Sequence, residues 1–208
     1  MTPASRFRVI SWVTWAAIAT PLAVLVLRFI DDGLGANPIE ALVLWSGMST
    51  LVFIILTLSI TPVRRLSGVN QLVRVRRRLG LASFSYASLH LMIYVGLHQF
   101  FAFGYIIEDI LERPFITVGM AGWAILLPLA ITSTKGWIRK LGRRWQLLHR
   151  LAYVAAGLGV IHYYWQVKAD TRLPLGFGAV LAALLLFRLV KWNSGRRSSP
   201  VSTTPASS

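Results

Sequence analysis

The sequence predicts an all-α membrane protein, a bundle of six transmembrane helices with both termini cytoplasmic. Two observations carry that prediction. The first is composition: 55% of the 208 residues are hydrophobic and 14% charged, with a mean hydropathy of +0.61, whereas an ordinary soluble domain carries about 25% charged residues. The second is where the charges lie. All seven acidic residues fall in three short segments: Asp31, Asp32 and Glu40; Glu108, Asp109 and Glu112; and Asp170. Between them stand basic segments, Arg64 to Arg78 and Lys135 to Arg144. Lys and Arg in short loops are retained on the cytoplasmic side, so the basic segments are expected inside and the acidic ones outside.

Six apolar runs approach the ~20 residues needed to cross a hydrocarbon core of ~30 Å. The first, 9–30, follows Arg6 and Arg8 and ends at the Asp31–Asp32 pair. It exceeds the ~7 to 15 residues of a signal-peptide core and lacks an A-x-A site, so it reads as a retained helix. The second, 41–60, runs from Glu40 to Arg64 and Arg65. The third, 81–103, leaves the arginines at 76–78 and ends before Glu108. The fourth, 116–133, follows Arg113 and stops short of Lys135. The fifth, 147–165, precedes Asp170, and the sixth, 173–191, leads into Arg196 and Arg197. An even number of crossings returns the chain to its starting side. Residues 1–192 form one domain on this reading, and the Ser, Thr and Pro rich tail 193–208 is expected to be disordered.

Several function classes drop out. A net charge of +15 would suggest nucleic acid in a soluble chain, but here the basic groups cap apolar spans, which points to membrane lipid and to no nucleic acid. The absence of cysteine removes disulfides, thiolate metal sites, iron–sulfur clusters and cysteine nucleophiles. No GxGxxG or GxxxxGK[ST] occurs, and no internal repeat is evident. A small transporter with helices broken at Pro21 and Pro128 is one alternative, although no acidic residue inside a span offers a proton or cation relay. A structural membrane subunit without a redox cofactor is another.

The four histidines are the costly groups. His90 and His98 lie on the third span, and His149 and His162 on the fifth, two spans that run in the same direction. At 1.5 Å per residue, His90 lies ~14 Å from the inner edge of its span, His149 ~3 Å and His162 ~22 Å. Neutral imidazole is a common iron ligand, and without C-x-x-C-H a histidine pair across a bundle points to b-type heme held without covalent attachment. Two axial histidines favour electron transfer over oxygen activation. His98 is turned ~80° from His90 at 100° per residue, which suits a hydrogen bond to a neighbouring helix better than a shared site. His149 and His162 are ~20 Å apart along one helix. They imply either two hemes stacked across the membrane or one heme with the other histidine serving elsewhere.

Three stretches, RRRLGLASFSYASLHLMIY from Arg76, RPFITVGMAGWAILLPLAITS from Arg113 and LGRRWQLLHRLAYVAAGLGVIHYYWQVKAD from Leu141, resemble the MsrQ (YedZ) family. That family is part of the wider ferric-reductase-like transmembrane class. The resemblance implies an electron-transfer subunit of the bacterial inner membrane that binds heme b and FMN. It would take electrons from the quinone pool, or from a cytosolic flavin reductase, and deliver them to the periplasmic molybdenum subunit MsrP. The catalytic site for methionine sulfoxide reduction would then lie on the partner. The family's histidine pattern falls on His90, His149 and His162. The favoured arrangement is one heme bridged by His90 and His162, with His149 either ligating a second heme or serving as an alternative partner of His90. The FMN phosphate is expected at inner arginines, with Arg77 and Arg78 foremost. The acidic outer face, with Glu108, Asp109, Glu112 and Asp170, would complement a basic partner.

Overall fold

A computed structural model describes residues 2–167 and 169–197. Among these residues the chain is helical, with no strand. The order is α1 Pro3–Ile30, α2 Pro38–Ser67, α3 Leu72–Ile93 continued by a π-helical turn Tyr94–His98, α4 Phe103–Glu112, α5 Pro114–Ile131, α6 Lys135–Leu141, α7 Arg143–Leu148, α8 Leu151–Gln166 and α9 Arg172–Arg197. The ends follow from local chemistry. Thr2 accepts from the Ser5 N–H ahead of α1, and Asn37 accepts from the Glu40 N–H ahead of α2. In both helices a proline occupies the first turn, where its missing donor is not needed. Gly68 closes α2 at φ 70°, a left-handed cap that glycine adopts without steric cost.

Five helices among the described residues are long and apolar enough to cross a membrane: Ala4–Ile30, Pro38–Ser67, Leu72–His98, Pro114–Ile131 and Arg172–Val190. The expected fifth span folds as α8 with only 16 residues, about 24 Å long at 1.5 Å per residue and so shorter than a ~30 Å core. The arginine-rich segment expected as a loop before the third span is already helical from Leu72. The last helix continues through Asn193 to Arg197, past the point where the tail was expected to begin. Residues 198–208, the rest of that tail, lie outside the described residues.

The centre is α2: 44% of its apolar window is buried, against 11% for α1 and α9, so the outer helices turn most of their side chains toward lipid. Ile54, Leu58, Ala87, Leu126, Ala156 and Leu181 meet in one cluster, which draws α2, α3, α5, α8 and α9 together. Phe53, Val75, Leu79 and Tyr86 form a second, between α2 and α3, on which Ile10 and Ile18 of α1 pack. The Ser83 hydroxyl, fully buried, donates to the Thr50 carbonyl at 3.0 Å, a polar tie of the kind that joins helices where water is absent.

Pro21 interrupts α1, since it has no N–H and its ring crowds the preceding turn. The Tyr86 hydroxyl accepts from the Leu22 N–H at 3.2 Å and donates to the Ile18 carbonyl at 2.7 Å, the pair that an uninterrupted helix would join directly. The Trp45 indole donates to the Pro21 carbonyl at 2.8 Å. Tyr86 of α3 and Trp45 of α2 thus take up backbone groups of α1 at this interruption. Tyr86→Phe strands both backbone groups in an apolar layer. It is expected to cost about 1–3 kcal/mol, read as a lower midpoint of thermal unfolding in detergent. An unchanged midpoint would show that the bridge carries no stability.

At the acidic end the third span stops at His98, short of the expected 103. The π-turn, followed by Phe100 and Phe101 at φ 47° and 59°, turns the chain into α4. Asp109, 8% exposed, accepts from the Tyr94 hydroxyl at 2.7 Å, from the Gln99 amide and from the Arg113 guanidinium, whose Nε lies 3.1 Å away. Asp109 therefore fixes this corner from within, while Glu108, Glu112 and Asp170 remain on the exposed surface.

Candidate functional site

Two helix pairs build the site. In the first, His90 of α3 faces the backbone of α2, and its Nδ1 lies 2.9 Å from the Val43 carbonyl and 3.4 Å from the Ser46 hydroxyl. In the second, His162 of α8 faces α5, with Nδ1 2.6 Å from the Phe115 carbonyl. A carbonyl only accepts, so Nδ1 carries the hydrogen in each ring and Nε2 keeps a lone pair, the state in which imidazole binds a metal. A backbone acceptor on the far nitrogen is also the usual partner that orients a ligating histidine.

Each ring lies against a glycine. A Cβ at Gly47 would meet the His90 ring at 3.1 Å, and one at Gly119 would meet His162 Nδ1 at 2.8 Å. The two half-sites share one construction: each acceptor carbonyl lies 47 residues before its histidine and four before its glycine. Val43, Gly47, Met48 and His90 recur as Phe115, Gly119, Met120 and His162 at an offset of 72 residues, and Arg78–Leu79 recurs as Arg150–Leu151. The chain thus contains a repeat, contrary to the expectation of none, carried by a few positions of each half.

The imidazoles meet with ring centres 6.0 Å apart and planes at 85°. Two imidazoles on opposite sides of one metal, with metal–nitrogen bonds of about 2.0 Å, place their ring centres about 6.3 Å apart. Both line a cavity of about 250 Å³ walled mainly by apolar side chains, including Met48, Trp123, Leu126 and Ala155, with Glu40 and Arg113 toward the acidic end. Among the described residues no group of three or more His, Cys, Asp or Glu gathers to hold a bare ion. Two imidazoles that keep their Nε2 lone pairs suit a metal whose remaining ligands come from a planar macrocycle.

The other expected residues lie apart from the pair. His98 lines the same cavity but stacks on Tyr94 at 5.8 Å. His149 sits at the basic end, stacked on Trp145 at 3.9 Å, with Nδ1 3.1 Å from the Trp145 carbonyl. Its Nε2 is buried without a hydrogen-bond partner. Arg78 packs back on α1, its Nη1 2.5 Å from the Ser11 hydroxyl and its guanidinium 5.4 Å from the Trp15 ring. Arg77 is exposed. Sequence reasoning missed Gly47, Gly119 and the two carbonyls. The recurring Gly-Met pairs facing the histidines were the available signal.

Residues 41–160 match the family described as ferric reductase like transmembrane component, which is the class that this helical bundle and its histidine pair define. Curated relatives agree over nearly the full chain. A Caulobacter vibrioides protein is 47% identical over 90% of this chain and 89% of its own. One from Herminiimonas arsenicoxydans is 46% identical over 93% and 89%, and one from Rhodospirillum rubrum 49% over 88% and 89%. Each is described as the heme-binding subunit MsrQ of a protein-methionine-sulfoxide reductase. The chain belongs to the MsrQ family.

Proposed function

We propose that this protein is the electron-transfer subunit of a methionine sulfoxide reductase system in the bacterial inner membrane, with heme b held between His90 and His162. The observation that carries the reading is the 6.0 Å spacing of two imidazoles whose Nδ1 groups are both committed to backbone carbonyls. His90 and His162 would hold the heme, which would supply one-electron transfer. The carbonyls of Val43 and Phe115 fix the ring orientation, Gly47 and Gly119 let the rings lie against the helix backbone, and the apolar wall excludes water.

In this reading α8 completes six crossings, its short length accommodated within the bundle, and both termini are cytoplasmic because the basic end is the inner one. The cavity extends toward the acidic, outer end, where the exposed Glu108, Glu112 and Asp170 offer an approach for a basic periplasmic partner. That partner is the molybdenum-dependent reductase MsrP, which carries the catalytic site for repair of oxidised periplasmic proteins. The donor is a membrane quinol or a cytosolic flavin reductase, with FMN as a second cofactor on the inner side. A second heme on His149 is the further reading. One observation favours it, since His149 repeats the arrangement of the ligand pair, Nδ1 on a carbonyl and Nε2 without a partner.

The test is reconstitution in vesicles with a reduced quinol and purified MsrP, following reduction of methionine sulfoxide in an oxidised protein. Turnover is expected with the wild-type chain and a fall to background with His162→Ala. Equal turnover without the chain would refute the assignment.

A further inference from the structure

The cavity lined by His90 and His162 is polar at one end only. Toward the basic end its wall is Leu51, Ile54, Leu126 and Ala155, and the polar groups at that level, Thr50 and Trp123, already donate to the Ser46 carbonyl and the Ser88 hydroxyl. Toward the acidic end stand Tyr94 and Gln166, each four residues, and so about 6 Å of helix, beyond its histidine. Arg113 lies there too, the only Lys or Arg among the described residues that line the cavity.

A buried acid holds Arg113 in place. Its Nε lies 3.1 Å from Asp109 Oδ1, while Oδ2 of the same carboxylate accepts from the Tyr94 hydroxyl and the Gln99 amide. An exposed i,i+4 ion pair contributes little, but this carboxylate is buried and engaged through both oxygens. The grip is made through Nε and leaves the two Nη groups, the paired donors that suit a second carboxylate. The helix α5 starts at Pro114, so the positive end of its dipole faces the same mouth. Two other cations of this end are engaged elsewhere, Arg28 over the Trp45 ring at 5.0 Å and Arg172 at 3.9 Å from Asp170. Glu40, the acid in the lining, is exposed and accepts from the Asn37 amide at 3.1 Å.

We propose that Arg113, braced by Asp109, binds the carboxylates of the heme and so turns the acidic edge of the macrocycle toward the acidic end of the bundle. The proposal rests on the heme reading. A b-type porphyrin carries its two carboxylates on one edge, and an ionised carboxylate set against Leu126 and Ala155 at the other end would lose its hydration with no partner in return. Asp109 acts through Arg113 and is a positioning residue.

The test titrates the full-length, heme-stripped protein in detergent with heme and with heme dimethyl ester, whose carboxylates are capped and uncharged. Wild type, Arg113→Gln, Asp109→Asn and, as a control at the same end, Arg172→Gln are compared. The wild type is expected to bind heme at least about tenfold more tightly than the ester, the factor carried by one charge-assisted hydrogen bond. In Arg113→Gln and Asp109→Asn the heme affinity is expected to fall to near that of the ester, with the ester affinity and the absorption of the His90–His162 site unchanged. Arg172→Gln is expected to match the wild type. A wild type that binds heme and ester alike, or an Arg113→Gln protein that keeps the wild-type preference, would overturn the anchor while leaving the heme reading intact. An equal loss of both ligands in Asp109→Asn would show that Asp109 serves the fold alone and would remove the brace. Binding of neither ligand by the wild type would contradict the heme reading itself, and the anchor with it.

Discussion

His90→Ala and His162→Ala are each expected to purify as folded protein lacking the b-type absorption of the wild type. The two rings line one cavity with their centres 6.0 Å apart, so in the proposed site each would supply one bond to the heme iron that the other cannot replace. Changing only the outer partner of a metal-bound histidine costs 10–100-fold in affinity, and removing the ligand itself should cost at least about 100-fold by the same measure. Both rings pack beside glycine rather than in the main apolar clusters, so truncation should leave the bundle assembled. Circular dichroism alongside the reduced-minus-oxidised spectrum checks this. Retention of the full band by either variant would place the heme elsewhere.

Gly119→Ala is expected to reproduce most of that loss without touching a ligand. The added methyl would stand 2.8 Å from His162 Nδ1, closer than non-bonded atoms approach, and the ring is held on that side by its hydrogen bond to Phe115. The imidazole must therefore tilt and surrender either the carbonyl or the metal direction. A fall of about 10–100-fold in heme affinity follows, the range seen when a ligating histidine loses its orienting partner. Gly47→Ala should be milder, because its contact with His90 is 3.1 Å. Heme titration of the apoprotein orders the two, and equal, wild-type affinity in both would show that the close approach of ring and helix is not required.

Much of this site could be read from the residues. The acidic and basic segments marked helix ends, and His90 and His162 stood out because imidazole inside apolar runs needs a reason to be there. Their depths, counted along parallel helices, were within reach of one ligand, and the structure brings them into ring contact. What stayed hidden depends on packing. Arg76, Arg77 and Arg78 succeed one another at about 100° around α3, so they cannot all face the interior, and only the neighbours on α8 and α9 show that Arg76 does so. The repeat was obscured because a 72-residue offset preserves Gly-Met, Arg-Leu and the histidine while the lipid-facing positions between them differ. Asp109 looked like one more surface acid beside Glu108 and Glu112, yet the turn that carries α4 buries it against Tyr94 and Gln99. The length of α8 was overestimated because the apolar run does not reveal that Leu147 and Leu148 end α7 and that His149 and Arg150 turn the chain before α8 begins.

The central claim is that one iron is held by both imidazoles, and electron paramagnetic resonance of the oxidised, purified protein tests it most directly. A low-spin ferric signal of the strongly anisotropic kind that crossed imidazole planes produce, abolished by His90→Ala and by His162→Ala alike, is the result this structure predicts. A wild type whose signal is high-spin, or low-spin but insensitive to one of the two substitutions, would show that the pair does not share a metal.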